Sequence, residues 1–254
     1  MECGVLPKAC NLAHALVAVS HRNVTLMDLD LQFGAIPVYF DLFPKRGLLQ
    51  ALENLDRLDE VALKGYVAQH ASGLKILGNA SEDALPTQPI SVDHVRRLLD
   101  VAVRCNEHLV VDLPRRIDAV AALVLERAQY IVLVVQQSLA TLRDATRLIT
   151  CMRNDLGVSK DRLLVVVNRY DKKSGITVED VRTTLTCGEM FLVPNDFRTV
   201  SECINTGTPL LVSAPNAVIT RAVLSLQLRL GGVAAEQRGL LARTFSGLRK
   251  ASST

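Results

Sequence analysis

Four short apolar runs in this sequence end in side chains able to do chemistry, two in carboxylates and two in amides. Val24-Thr25-Leu26-Met27-Asp28-Leu29-Asp30 puts Asp28 and Asp30 on one side of an extended chain leaving a sheet, because alternate strand residues share a face. Two carboxylates so placed can hold a magnesium ion through water or orient an attacking water. They can equally cap the loop that follows. His108-Leu109-Val110-Val111-Asp112 is a second apolar run ending in an acid, the form that sets a carboxylate near a phosphate site. Val165-Val166-Val167 runs into Asn168-Arg169, and Leu192-Val193 into Pro194-Asn195-Asp196. An Asn amide offers both donor and acceptor and suits a purine edge, with turn formation as the alternative at each position.

The elements that must present these ends read as a repeating pattern. Apolar runs at Val24 to Leu29, Leu74 to Leu77, Leu109 to Leu113, Tyr130 to Val135, Leu163 to Val167 and Met190 to Val193 have the near-continuous hydrophobicity of strands buried on both faces. Helical stretches lie between them, such as Val92 to Cys105, Leu139 to Leu156 and Asn216 to Leu230, each with one apolar face. The alternation predicts an α/β fold, a mostly parallel sheet flanked by helices on both faces. In such sheets ligands sit beyond the carboxyl ends of the strands, where the polar residues above are found.

Composition narrows the function classes. The chain has 254 residues, 49% of them hydrophobic, with a net charge of +3, which excludes a disordered or collagen-like polypeptide. Aromatic residues make up 4% and Trp is absent, so stacking platforms for nucleic acid are few, and the slight basic excess forms no run. The six cysteines (Cys3, Cys10, Cys105, Cys151, Cys187, Cys203) lack zinc-ligand spacing and read as reduced, mostly core thiols. No leader pattern or apolar run of bilayer length is visible, so a cytoplasmic location is expected. One domain is expected over 1–230, followed by a polar and basic tail over 231–254 in which Leu241, Phe245 and Leu248 can share a helix face.

Taken in order, these segments resemble the deviant Walker P-loop ATPases of the MinD/ParA family, and within it the CpaE/TadZ branch of Tad (Flp) pilus assembly. The resemblance rests on Asp28-Leu29-Asp30-Leu31-Gln32-Phe33-Gly34, Arg46-Gly47-Leu48, Ser72-Gly73-Leu74, Val110-Val111-Asp112-Leu113-Pro114, Ser138 to Asp144, Asn168-Arg169-Tyr170, and Val193-Pro194-Asn195-Asp196 with Asn205, Gly207 and Pro209. It covers residues 9 to 230. It implies ATP and Mg2+ as ligands, Asp28 and Asp30 as catalytic residues, and Asp112 as the Walker B metal-side carboxylate. Gly4, Asn168, Arg169, Pro194, Asn195 and Asp196 are implied as nucleotide contacts. The implied partners are a second copy of the chain and pilus-assembly and secretion proteins at the inner membrane or cell pole. Nucleic acid is not among them, and membrane contact is at most peripheral.

The phosphate loop departs from that pattern. Aligning Asn11-Leu12-Ala13 on the family's N-L-A puts Gly4 on the last loop glycine, Val5 on the lysine and Leu6 on the magnesium-binding hydroxyl, with Pro7 near the start of a helix. Lys8 is the nearby cation, placed inside the helix by this register. Without lysine and hydroxyl, the charge of a transferring phosphoryl group is poorly stabilised. The strand that precedes the loop in the family, central in the sheet, is also missing. A scaffold that binds ATP weakly or not at all is therefore expected, with a cycling ATPase as the alternative.

Overall fold

The computed structural model describes residues 6–81 and 90–231. The chain enters as α1 (Leu6–Ser20) and passes into β1 (Val24–Asp28). The short helices α2 (Ile36–Tyr39), α3 (Leu48–Glu53) and α4 (Glu60–Leu63) lead to β2 (Ala68–Gln69) and β3 (Lys75–Leu77). Strands and helices then alternate: α5 (Val92–Cys105), β4 (His108–Asp112), α6 (Ala119–Arg127), β5 (Ile131–Val135), α7 (Leu139–Asn154), β6 (Leu163–Tyr170), α8 (Val178–Leu185) and β7 (Glu189–Pro194). Helices α9 (Phe197–Thr206), α10 (Leu210–Ser213) and α11 (Val218–Leu230) close the described chain. The expected strands and helices are present to within a few residues. The two-residue β2 was not legible because it is too short to show a period.

β3, β1 and β4 are parallel neighbours, with β2 antiparallel on the outer edge, and β5, β6 and β7 form a second parallel set. Helices cover both faces, as the alternation requires. Beneath α1 and α11 lies one core that draws Val24 and Leu26 from the first sheet and Leu164, Val166 and Val193 from the second. On the other side, Met27 and Leu77 pack against Leu48, Leu98 and their neighbours, and Val165 and Val167 pack against Ile149 and Val181.

Between β4 and β5 there is no ladder, so the sheet divides there. The residues that would precede α1, Gly4 among them, lie outside the described residues, as does the tail beyond Gly231 with its expected helix face. Among the described cysteines none is in a disulfide, and Cys10, Cys187 and Cys203 are buried. No helix among the described residues is long and apolar enough to cross a membrane.

Asn11, which served the sequence reading only as a register mark, is a buried junction. Its Nδ2 donates to the carbonyl of Pro7 (2.6 Å) and to the Tyr39 hydroxyl (2.5 Å), while its Oδ1 accepts from the backbone N–H of Leu210 (2.8 Å). One fully buried side chain thus ties α1 to α2 and α10. Truncation would leave the Leu210 N–H and the Tyr39 hydroxyl without this partner, at about 1–3 kcal/mol for each buried unsatisfied group. Asn11→Ala is expected to destabilise the fold by about 2–4 kcal/mol in urea unfolding, and a loss below about 0.5 kcal/mol would contradict this assignment.

Candidate functional site

The carboxyl ends of the strands converge on the edge where α1 begins. Asp28 and Asp112 end β1 and β4 as direct register partners, so their side chains share a face about 5 Å apart. Asp28 is fully buried; its Oδ1 accepts from Asp30 N–H (3.1 Å) and its Oδ2 from Ile36 N–H (3.2 Å). Asp30 accepts in turn from the N–H groups of Gln32 (3.3 Å) and Phe33 (3.1 Å). Both acids therefore fasten the loop after β1, the capping role that competed with a catalytic one. Gly34 closes that loop so tightly that a Cβ there would lie 2.5 Å from Asp28 Oδ2 and 2.4 Å from the Asp30 carbonyl.

Burial governs the charge of this pair. It pushes the Asp28 carboxyl up to about 6 against the pull of its two backbone N–H bonds. Burial, together with the charges of Asp28 and Asp30, pushes Asp112 up to about 7. Among the described residues no group of three or more His, Cys, Asp or Glu side chains is placed to share a metal ion. Asp112 could hold Mg2+ only in the manner of a site completed by water and a bound phosphate.

A cavity of about 460 Å³ opens between the start of α1 and the ends of β6 and β7, and Asp28, Asp30 and Asp112 do not line it. Its walls include Lys8, Asn168, Arg169, Pro194, Asn195 and Asp196. The β6–β7 register slips between Val167 and Tyr170, and Arg169 adopts a positive φ of 52°. This bulge turns Asn168 inward, 5% exposed, and Arg169 outward. Asn168 Oδ1 accepts from the Arg169 N–H (2.8 Å), leaving its amide NH2 to serve as a donor to a ligand. Asp196 spends one oxygen capping α9 through Thr199 N–H (3.2 Å), so the turn-forming role holds for it. Gly207, with φ of 63°, ends the same helix, and a Cβ there would lie 2.7 Å from that of Asp41.

The structure thus brings together Asp28, Asp30 and Asp112 as one group and Asn168, Arg169, Pro194, Asn195 and Asp196 as another; Gly4 falls outside the described residues. Lys8 is placed more usefully than its helical register implied. Burial, with the neighbouring charge of Arg169, lowers its ammonium to about 7, and both side chains line the α1 end of the cavity. The residue types fit a nucleotide: amides toward a base, and Lys8 and Arg169 toward an anionic group.

Raised carboxylate values set a sign for pH dependence. Asp28 and Asp112 bind protons more tightly folded than unfolded, so stability falls as pH rises from about 4 to about 7. Burial lowers the pKa values of His14, His70 and His108, which act in the opposite sense over this interval, so the acids are tested by difference. Without divalent metal, the melting temperature of the wild type relative to Asp112→Asn is expected to fall between pH 5 and pH 7.5. A difference that stays constant or rises over that interval would contradict the placement of the pair.

No family model matches this sequence. The curated relatives include the antiactivator FleN of Pseudomonas aeruginosa, 31% identical over 158 residues, which span 61% of this chain and 54% of FleN. A tyrosine-protein kinase ptk of Acinetobacter johnsonii is 28% identical over 104 residues, 41% of this chain and 14% of the kinase. The matches span about half the length of FleN and a small part of the kinase. Among solved structures, a ParA family ATPase from Chlorobium tepidum superposes with a TM-score of 0.78 at 24% identity, covering 89% of this chain and 93% of that one. The septum site-determining protein MinD of Pyrococcus horikoshii, solved with Mg-ADP, gives 0.75 at 17% identity, covering 91% and 92%. MinD in the MinC:MinD complex of Aquifex aeolicus gives 0.72 at 20%, covering 90% and 91%. The chain therefore has the α/β fold of the MinD/ParA P-loop structures.

Proposed function

We propose that this chain is a pilus-assembly and localisation protein of the CpaE/TadZ type in a Tad (Flp) system. It acts as a homodimeric scaffold, and its nucleotide site binds ATP weakly and hydrolyses it barely or not at all. The reading is supported by an asymmetry: Asn168 and Asn195 offer amides to the cavity, whereas the sequence register on Asn11-Leu12-Ala13 aligns Val5 and Leu6 with the lysine and hydroxyl of the phosphate loop. The pilus assignment draws on the run Asp28 to Gly34, a tight capped loop that leads into exposed Phe33, Val38 and Phe43. Such apolar side chains suit contact with a protein partner. The partners are pilus-assembly and secretion proteins at the inner membrane, and the protein works in the cytoplasm, peripheral to that membrane or at the pole.

The convergence of Asp28, Asp30 and Asp112 favours a second reading, a working ATPase that cycles between monomer and ATP-bound dimer. Phosphate release separates the two. The scaffold reading expects equal background rates for wild type and Asp30→Asn, whose Oδ1 still accepts from the Gln32 and Phe33 N–H groups, and Asp30→Asn restoring surface pilin to a deletion strain as fully as wild type. A rate that falls at least tenfold in the variant would establish the ATPase. A deletion strain that still assembles pili normally would end the pilus assignment.

A further inference from the structure

α1 opens Leu6-Pro7-Lys8-Ala9, which sets one lysine among apolar residues at the end of a helix packed between the sheets. Pro7 and Lys8 form one wall of the cavity, and the ends of β6 and β7 form the other. Much of the remaining lining is apolar, with Val193, Val200, Ile204 and Val223 among it, and Val193 and Val223 are buried. Among the described residues the charged side chains on its walls are Lys8, Arg169 and Asp196, and Asp196 accepts from Thr199 N–H as the cap of α9 (3.2 Å).

The two basic side chains differ in what they can do. Burial, and then the charge of Arg169, bring the Lys8 ammonium down to about 7. At neutral pH about half of the Lys8 side chains are therefore free amine, against on the order of one in a thousand for an ordinary lysine. A desolvated amine beside another cation is an activated nucleophile. A guanidinium, by contrast, keeps its charge and presents a planar fork that matches phosphate oxygens, and Arg169 is exposed on the same cavity. An amine, an anion-binding fork and an apolar wall thus meet in one space. The molecule that matches all three carries a reactive carbonyl carbon between a small apolar group and a phosphate.

We propose that Lys8 is a modification site, acylated within the cavity by acyl phosphates whose phosphate is held by Arg169. The neutral Nζ of Lys8 attacks the acyl carbon, and the bond from that carbon to the phosphate oxygen breaks. The phosphate leaves with the electron pair of that bond, and the proton lost by nitrogen passes to solvent, so the products are an amide and inorganic phosphate. The amide carries no charge, and acylation therefore removes one of the two basic groups that the cavity offers an anion. Occupancy of the cavity by an anionic ligand then falls as the supply of acyl phosphate rises. This inference rests on the cavity alone and stands apart from the pilus assignment and from ATP hydrolysis.

Peptide mass spectrometry tests it on the purified chain incubated at pH 7.5 with acetyl phosphate and, separately, with the uncharged donor N-hydroxysuccinimidyl acetate. With acetyl phosphate, Lys8 is expected to be acetylated at least about tenfold faster than the exposed Lys64, Lys160 and Lys172, and to lose that preference in the urea-unfolded chain. Arg169→Asn removes the guanidinium and keeps a residue that tolerates the positive φ of 52° at this position. The variant is expected to lower the Lys8 rate with acetyl phosphate, relative to the uncharged donor, at least about fivefold. Because both donors meet the same amine, their ratio cancels any change in its charge. The proposal fails if Lys8 of the folded wild type reacts no faster than the exposed lysines, or if its preference survives unfolding. It fails equally if folded Arg169→Asn leaves the ratio of the two donors unchanged. The wild-type comparison decides the matter by itself where the variant does not fold.

Discussion

Two sheets that share no hydrogen bond are held in one molecule by the packing of α1 and α11, and the remaining geometry depends on that join. The core beneath these helices is the only continuous layer of described side chains that takes β1, β3, β6 and β7 together. Asn11 anchors one end of α1 to α2 and α10, and Gln227 of α11 donates to Ser20 Oγ (2.6 Å) at the other. Because α1 also supplies Pro7 and Lys8 to the cavity, the helix that joins the sheets is the helix that shapes the site.

The site itself is a competition between burial and charge. Parallel pairing sets Asp28 and Asp112 side by side, and removing them from water favours their neutral forms. On the cavity side the same effect presses the Lys8 ammonium toward neutrality. A phosphate group near Lys8 and Arg169, or a cation near the acids, would reverse these shifts, which is how ligand binding and stability become linked.

Much of this was legible from the residues. Apolar runs of β-branched residues located the strands, and the rule that strand ends carry function selected Asp28, Asp112, Asn168 and Asn195. The capping duties of Asp28, Asp30 and Asp196 were visible only as an alternative, because a carboxylate at a strand end has the same sequence signature whether it binds a backbone N–H or a ligand. Lys8 lies inside α1 as the register expects, and its place in the cavity wall was not legible because register says which face a residue takes, not which strands that face meets. Asn11 gave one signal that could have been used: a polar residue amid Ala, Cys and Leu on an otherwise apolar helix must find partners when buried. The bulge at Arg169 leaves no trace in a run of valines.

The proposed function has the cavity amides serve a base, while the sequence carries Val5 and Leu6 where the resemblance expects the phosphate-loop lysine and hydroxyl. Calorimetric titration of the 254-residue chain with adenosine and with ATP in millimolar Mg2+ tests it most directly. The account predicts that both bind weakly and that their affinities agree within about tenfold. ATP binding more than a hundredfold tighter than adenosine would contradict it, because the phosphates would then supply most of the binding free energy.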